Sequence, residues 1–102
     1  VSVPCFRVFD LQPYDYRISV LPSGNPIMSV EAYSTFGWGV YSHVHHGINT
    51  FGVSAPYQKA YEKFQLTDHD VADKAQKVVE YYKKLGQVPS PIAIQAALEL
   101  QQ

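Results

Sequence analysis

His43, His45 and His46, in the run His-Val-His-His, are the residues whose type and spacing first suggest chemistry. Imidazole is a common metal ligand and titrates near neutral pH. In an extended stretch His43 and His45 share a face, but two ligands do not close a site. The single cysteine, Cys5, is remote, and the nearest carboxylate is Glu31. The three histidines are therefore expected in an exposed loop, with a metal site as the alternative. Glu31 ends a short apolar run, and such strand ends line crevices in open α/β sheets. With no second acid, base or ligand beside it, its carboxylate is expected to bond to backbone or to a partner. The glycines from Gly37 to Gly52 lack the Gly-x-Gly-x-x-Gly spacing and a P-loop Lys, which argues against a phosphate cradle. Ser54 lacks a nucleophile elbow and reads as a helix cap. Cys5 has no adjacent His or Lys to activate it and reads as a buried, inert thiol. These residues form no self-contained active site, so no catalytic, cofactor-binding or metal residue is expected.

The elements that would carry these residues follow from pattern and caps. Val1–Val3 reads as a strand end stopped by Pro4. Asp10 can cap a helix over Leu11–Leu21, with Pro13 in its first turn and Tyr16 and Val20 on one face. Ile27–Val30 suits a buried strand, and a second short strand is expected near Ile48–Phe51. A helix fits Ala55–Phe64, capped by Ser54. The clearest element is Asp68–Leu85. Thr67 caps it, and Val71, Ala75, Val78, Tyr82 and Leu85 make an apolar stripe. Lys83 and Lys84 lie in its last turn, and Gly86 is the stop. Ser90-Pro91 opens a last helix, roughly Pro91–Gln101, with Ile94, Ala97 and Leu98 on one side. Strands mixed with helices, without hairpin signals, indicate an α/β layered fold.

Composition bounds the function. The chain has 102 residues, 46% hydrophobic and 17% charged. One small domain of this size buries about 65% of its unfolded surface. The net charge of −1 offers no basic surface for nucleic acid or anionic membrane, and no apolar run is long enough to span a bilayer. Residues 1–56 carry five charges (Arg7, Asp10, Asp15, Arg17, Glu31) and nine of the aromatics, whereas residues 57–102 carry the other twelve charges. A charge-poor, aromatic-rich stretch must be core or be covered by other protein. Phe6, Phe9, Tyr33, Phe36, Trp38 and Tyr41 are the candidate interface anchors, and self-association of the chain is expected.

Several segments together resemble the C-terminal domain of transketolases, fungal ones most. They are Val1-Ser2-Val3-Pro4-Cys5, Phe9-Asp10-x-Gln12-Pro13-x-x-Tyr16-Arg17-x-Ser19-Val20-Leu21-Pro22 and Pro26-Ile27-Met28-Ser29-Val30-Glu31-Ala32. Gly37-Trp38, Gly47-Ile48-x-x-Phe51-Gly52-x-Ser54-Ala55-Pro56 and Val71-Ala72-x-Lys74-Ala75 complete the series. The family commonly has Asp-Arg where this chain has Asn49-Thr50, and often Phe-Gly where this chain has Phe64-Gln65. The resemblance covers residues 1 to about 85 and marks Glu31, Gly37, Trp38, Phe51, Gly52, Ser54 and Pro56 as family-motif positions.

The resemblance implies a three-layer α/β/α domain occupying 1–102, its sheet incomplete at the N-terminal end, with 87–102 an extra C-terminal helix. About two more strands and a helix would precede Val1. The parent enzyme would use thiamine diphosphate and Mg or Ca to move a two-carbon ketol unit between sugar phosphates. Both would be held by other domains, with this one architectural and dimer-supporting. Its partners would be the remaining domains and the dimer mate, in the cytoplasm. A dihydroxyacetone synthase, in peroxisomes, is the alternative within the family. A free-standing binding module on the same fold is the alternative outside it.

Overall fold

The computed structural model describes residues 1–98. The order is α1 (Phe6–Asp10), α2 (Tyr14–Val20), β1 (Met28–Val30), a 3-10 turn (Trp38–Val40), β2 (Val44–His46), α3 (Tyr57–Lys63), α4 (Asp68–Leu85) and α5 (Pro91–Ala97). The helices and the small parallel sheet are those of an incomplete α/β domain.

The two strands pair in parallel, Met28 with Val44, Ser29 with His45 and Val30 with His46. The ladder runs on at both ends. His43 N–H donates to the Ile27 carbonyl at 2.8 Å, and Glu31 N–H donates to the His46 carbonyl at 2.9 Å. The second strand therefore holds the histidines, not Ile48–Phe51 as expected. Gly47 explains where it ends. A Cβ there would lie 2.5 Å from the Tyr33 carbonyl oxygen and 2.9 Å from a Thr35 methyl. The Gly47 backbone presses into the returning loop, and the chain beyond turns to that loop instead of to β1.

Proline placement redraws the first helix. Pro13 disfavours helical backbone at Gln12, so the expected 11–21 helix shortens to α2 (Tyr14–Val20), while α1 (Phe6–Asp10) lies ahead of it and was not expected. The Pro13 carbonyl accepts from Tyr16 and Arg17 N–H, both at 3.1 Å. Asp10 ends α1 and caps nothing in α2, and Tyr16 is exposed, while Ile18 and Val20 pack on the core. Val1–Val3 forms no strand, because neither β1 nor β2 pairs with it. Ser54 does not cap α3. That helix starts at Tyr57 with Pro56 at the N-cap, which carries Ser54 out of reach of the first N–H groups. Cys5 is exposed, not buried.

α4 matches its sequence reading in its cap, its bounds and its stop, but Leu85, the last residue of the expected stripe, is exposed. Thr67 Oγ1 accepts from Asp70 N–H, Asp70 answers to Thr67 N–H, and Gly86 closes the helix at φ 80°. α5 opens at Ser90-Pro91, with Ser90 Oγ accepting from Ile92 N–H at 3.2 Å. Its buried residues are Pro91 and Ile92, whereas Ile94, Ala97 and Leu98 face solvent. The last part of the expected helix, to Gln101, lies outside the described residues.

The core is made by Phe9, Leu21, Tyr41 and Ile92, with Phe6, Ile18, Ile27 and Trp38 packed on it. Ile92 is 2% exposed. Ser90 Oγ donates to the Leu21 carbonyl at 2.5 Å and Ser23 Oγ accepts from Ser90 N–H at 2.8 Å, so the C-terminal segment is bonded to the turn after α2.

Candidate functional site

The histidine stretch lies on β2 and its approach, not in an exposed loop. All three rings are partly buried. His43 Nδ1 accepts from Ile27 N–H at 2.9 Å, and its Nε2–H donates to the Pro89 carbonyl at 2.7 Å. One neutral tautomer satisfies both bonds, tying β1 to the segment before α5. His45 Nδ1 sits 2.8 Å from Ser42 Oγ and 3.4 Å from Ser29 Oγ. His46 Nε2–H donates to the Gln65 carbonyl at 2.6 Å. Successive strand side chains point to opposite faces, so His45 and His46 diverge. Among the described residues, no group of three His, Cys, Asp or Glu could hold a metal ion.

Beside β2 lies a polar cleft of about 560 Å³, lined by Thr35, His46, Asn49, Gln65, Asp73, Lys74 and Lys77 among others. Lys74 Nζ donates to the His45 carbonyl at 3.1 Å, and Asp70, also on the wall, belongs to the α4 cap. These two charges serve the fold. Gln65 adopts φ 57°, the left-handed region that favours glycine.

Glu31 Oε1 accepts from the next residue's N–H, that of Ala32, at 2.8 Å, which is the backbone partner expected for it. Gly37 turns at φ 88° into the 3-10 turn, and this delivers Trp38 edge-on to Phe6, with ring centroids 4.8 Å apart. Phe6 stacks on Tyr41 at 4.6 Å, and Phe9 meets Tyr41 edge-on at 5.9 Å. The Tyr41 hydroxyl donates to Asp10 at 2.8 Å, and burial first, then that carboxylate, pushes its phenol well above the usual range. Asp10 and Tyr41 are 31 positions apart, and nothing local in the sequence pairs them.

Four of the six proposed interface anchors are thus engaged inside the chain. Phe9 and Tyr41 are buried, and Phe6 and Trp38 pack on them. The correction has a simple cause: the short helix and the 3-10 turn bring these four rings face to face. Tyr33 and Phe36 remain on the surface, as does Phe51. Gly52, Ser54 and Pro56 continue the same exposed stretch.

The family described as transketolase-like TK C-terminal domain matches residues 1–67. A probable transketolase of Schizosaccharomyces pombe is 49% identical over 92 residues, 90% of this chain and 13% of that protein. The crystal structure of a Pichia stipitis transketolase complex with sedoheptulose-7-phosphate superposes with a TM-score of 0.84 at 46% identity. That match covers 89% of this chain and 13% of the other. A dihydroxyacetone synthase of Candida boidinii is 38% identical over 84 residues, 81% of this chain and 12% of that one. The chain spans about 13% of the length of the relatives it matches.

Proposed function

The chain belongs to the transketolase C-terminal domain family, and from that premise we propose that it is the architectural C-terminal part of a thiamine-diphosphate-dependent transketolase. The parent enzyme would transfer a two-carbon ketol unit between sugar phosphates in the cytoplasm. The observation that carries this reading is the likeness to a solved transketolase, at 46% identity over 89% of the chain. The residues here do not fit the cofactor. The rings of His43, His45 and His46 each bond a group of this chain, and no group of three His, Cys, Asp or Glu among the described residues could hold a metal ion. In this reading thiamine diphosphate and its Mg or Ca would be held by the other domains, and this one would support the dimer. The lower identity to the dihydroxyacetone synthase, 38% against 49%, favours a sugar-phosphate acceptor over formaldehyde.

A domain exchange tests this. The matching segment of the fission-yeast transketolase is replaced by this chain, and ketol transfer is assayed. Retained transfer is expected, while the 102-residue chain alone should be inactive with thiamine diphosphate and Mg²⁺. Stoichiometric binding of thiamine diphosphate to the chain alone, read by calorimetry, would overturn the proposal. An intact native product of this mass would instead support a free-standing module.

A further inference from the structure

We propose that the polar cleft beside β2 is a binding site for a free amino acid, held by its ammonium and its carboxylate. The cleft opens at the carboxyl ends of the two parallel strands, where the chain leaves β2 through Gly47 and Asn49, and the N-terminal half of α4 forms a second wall. In open α/β sheets ligands bind outside the carboxyl ends of the strands. The site does not depend on the transketolase reading, and nothing in the proposed function uses it.

Four polar groups on its walls are unspent. Asp73 and Lys77 lie about one helical turn apart on α4, yet among the described residues neither bonds the other or any third group. Asn49 Oδ1 accepts from Thr35 N–H at 2.9 Å, from Thr35 Oγ1 at 3.1 Å and from Ser34 Oγ at 3.3 Å. The backbone donor fixes the orientation of the amide, so Nδ2 keeps its hydrogens for another acceptor. His46 donates Nε2–H to the Gln65 carbonyl, which leaves Nδ1 an acceptor in the neutral ring. The other two charges on the wall are taken, Asp70 by the Thr67 cap and Lys74 by the His45 carbonyl.

These groups select a ligand by elimination. One unpaired cation and one unpaired anion each call for a countercharge, and the lysines and aspartates of the cleft cancel. A phosphate or a dicarboxylate would meet Asp70 and Asp73 with like charge. A simple carboxylate leaves Asp73 unanswered, and an amine leaves Lys77 so. An α-amino acid answers both, its carboxylate toward Lys77 and the Asn49 amide, its ammonium toward Asp73 and His46 Nδ1. Phe64, partly buried on the same wall, offers an apolar side chain a surface to lie on. The volume of about 560 Å³ lies within the roughly 300–1,000 Å³ of small-molecule sites. Asp73 and Lys77 are exposed, and exposed ion pairs are weak, so the dissociation constant falls in the millimolar range.

The test is saturation-transfer NMR on the full-length protein with L-leucine as the probe. Isocaproate, which lacks the ammonium, isoamylamine, which lacks the carboxylate, and the neutral polyol ribitol are the comparators. Leucine should give several-fold the transfer of any of them. Asp73→Asn should bring leucine down to the level of isocaproate, and Lys77→Met to that of isoamylamine. Both variants should melt with the unsubstituted protein, since both positions are exposed. The comparison of probes on the unsubstituted protein decides even where a variant folds poorly. Equal transfer from all four probes, no leucine signal, or a leucine signal untouched by both substitutions would each overturn the proposal. A ribitol signal above that of leucine would do the same and make this a polyol cleft.

Discussion

His43 ties the approach to β1 to the segment before α5. Its ring joins the Ile27 N–H to the Pro89 carbonyl. Leaving a fully buried donor unpaired costs about 1–3 kcal/mol, and the Ile27 donor is part-buried, so the low end of that range applies. His43→Ala should lower stability by about 1 kcal/mol in a denaturant titration, and added Zn²⁺ should not restore it. A cost near zero would return the ring to the exposed loop that the sequence suggested. Tyr41 supplies a pH signature. Its folded-state phenol is raised by burial and by Asp10, so the native state favours the protonated form. The stability it contributes is fully present below the unfolded tyrosine pKa of about 10 and is lost as pH rises beyond it. Tyr41→Phe should flatten the alkaline limb of a stability–pH curve while leaving the slope below about pH 9 unchanged. An unchanged alkaline limb would rule this out.

Between α3 and α4, a turn places Gln65 at φ 57°, where the resembling family often has glycine. A side chain in that region costs roughly 1–2 kcal/mol. Its carbonyl, not its side chain, accepts from His46, so Gln65→Gly keeps that bond. It should stabilise by up to about 1 kcal/mol, after the entropy glycine adds to the unfolded chain; a lower melting temperature would refute it. α5 is short, yet it closes the core through Ile92, at 2% exposure. Ile92→Ala should cost about 2–5 kcal/mol by thermal or denaturant unfolding. A cost under about 1 kcal/mol would mean that the segment is an appendage. Its Ser-Pro start was legible because an N-cap followed by Pro is local chemistry. Its buried face was not, because a seven-residue helix has too few turns for periodicity to show which side meets the core.

As a whole, the chain is broad and thin, 44 by 33 by 19 Å, with a radius of gyration of 15.2 Å against about 12.8 Å for a compact chain of this length. A thin body with aromatics on its surface should not remain monomeric in isolation. Sedimentation of the isolated chain at micromolar concentration should show self-association, weakened by replacing Phe36 and Phe51 with Ser. An ideal monomer across that range would contradict this.

What the amino-acid sequence determined by itself was whatever a few neighbouring residues decide. The Thr67 cap, the α4 stripe as far as Tyr82 and the Gly86 stop need only hydrogen bonds and spacing within one helix, and these were read correctly, whereas Leu85 at the end of the stripe is exposed. The charge-free aromatic half and the ordered family motifs were equally visible in the linear chain. Tertiary structure decided which aromatics are core and which are surface, since Phe6, Phe9, Trp38 and Tyr41 meet only after the loop from β1 folds back. It also decided that the histidines form a strand, because a three-residue strand carries almost no periodic signal of its own. Its hydrogen bonds come from β1, sixteen positions away in the chain, and no local pattern encodes a partner at that distance.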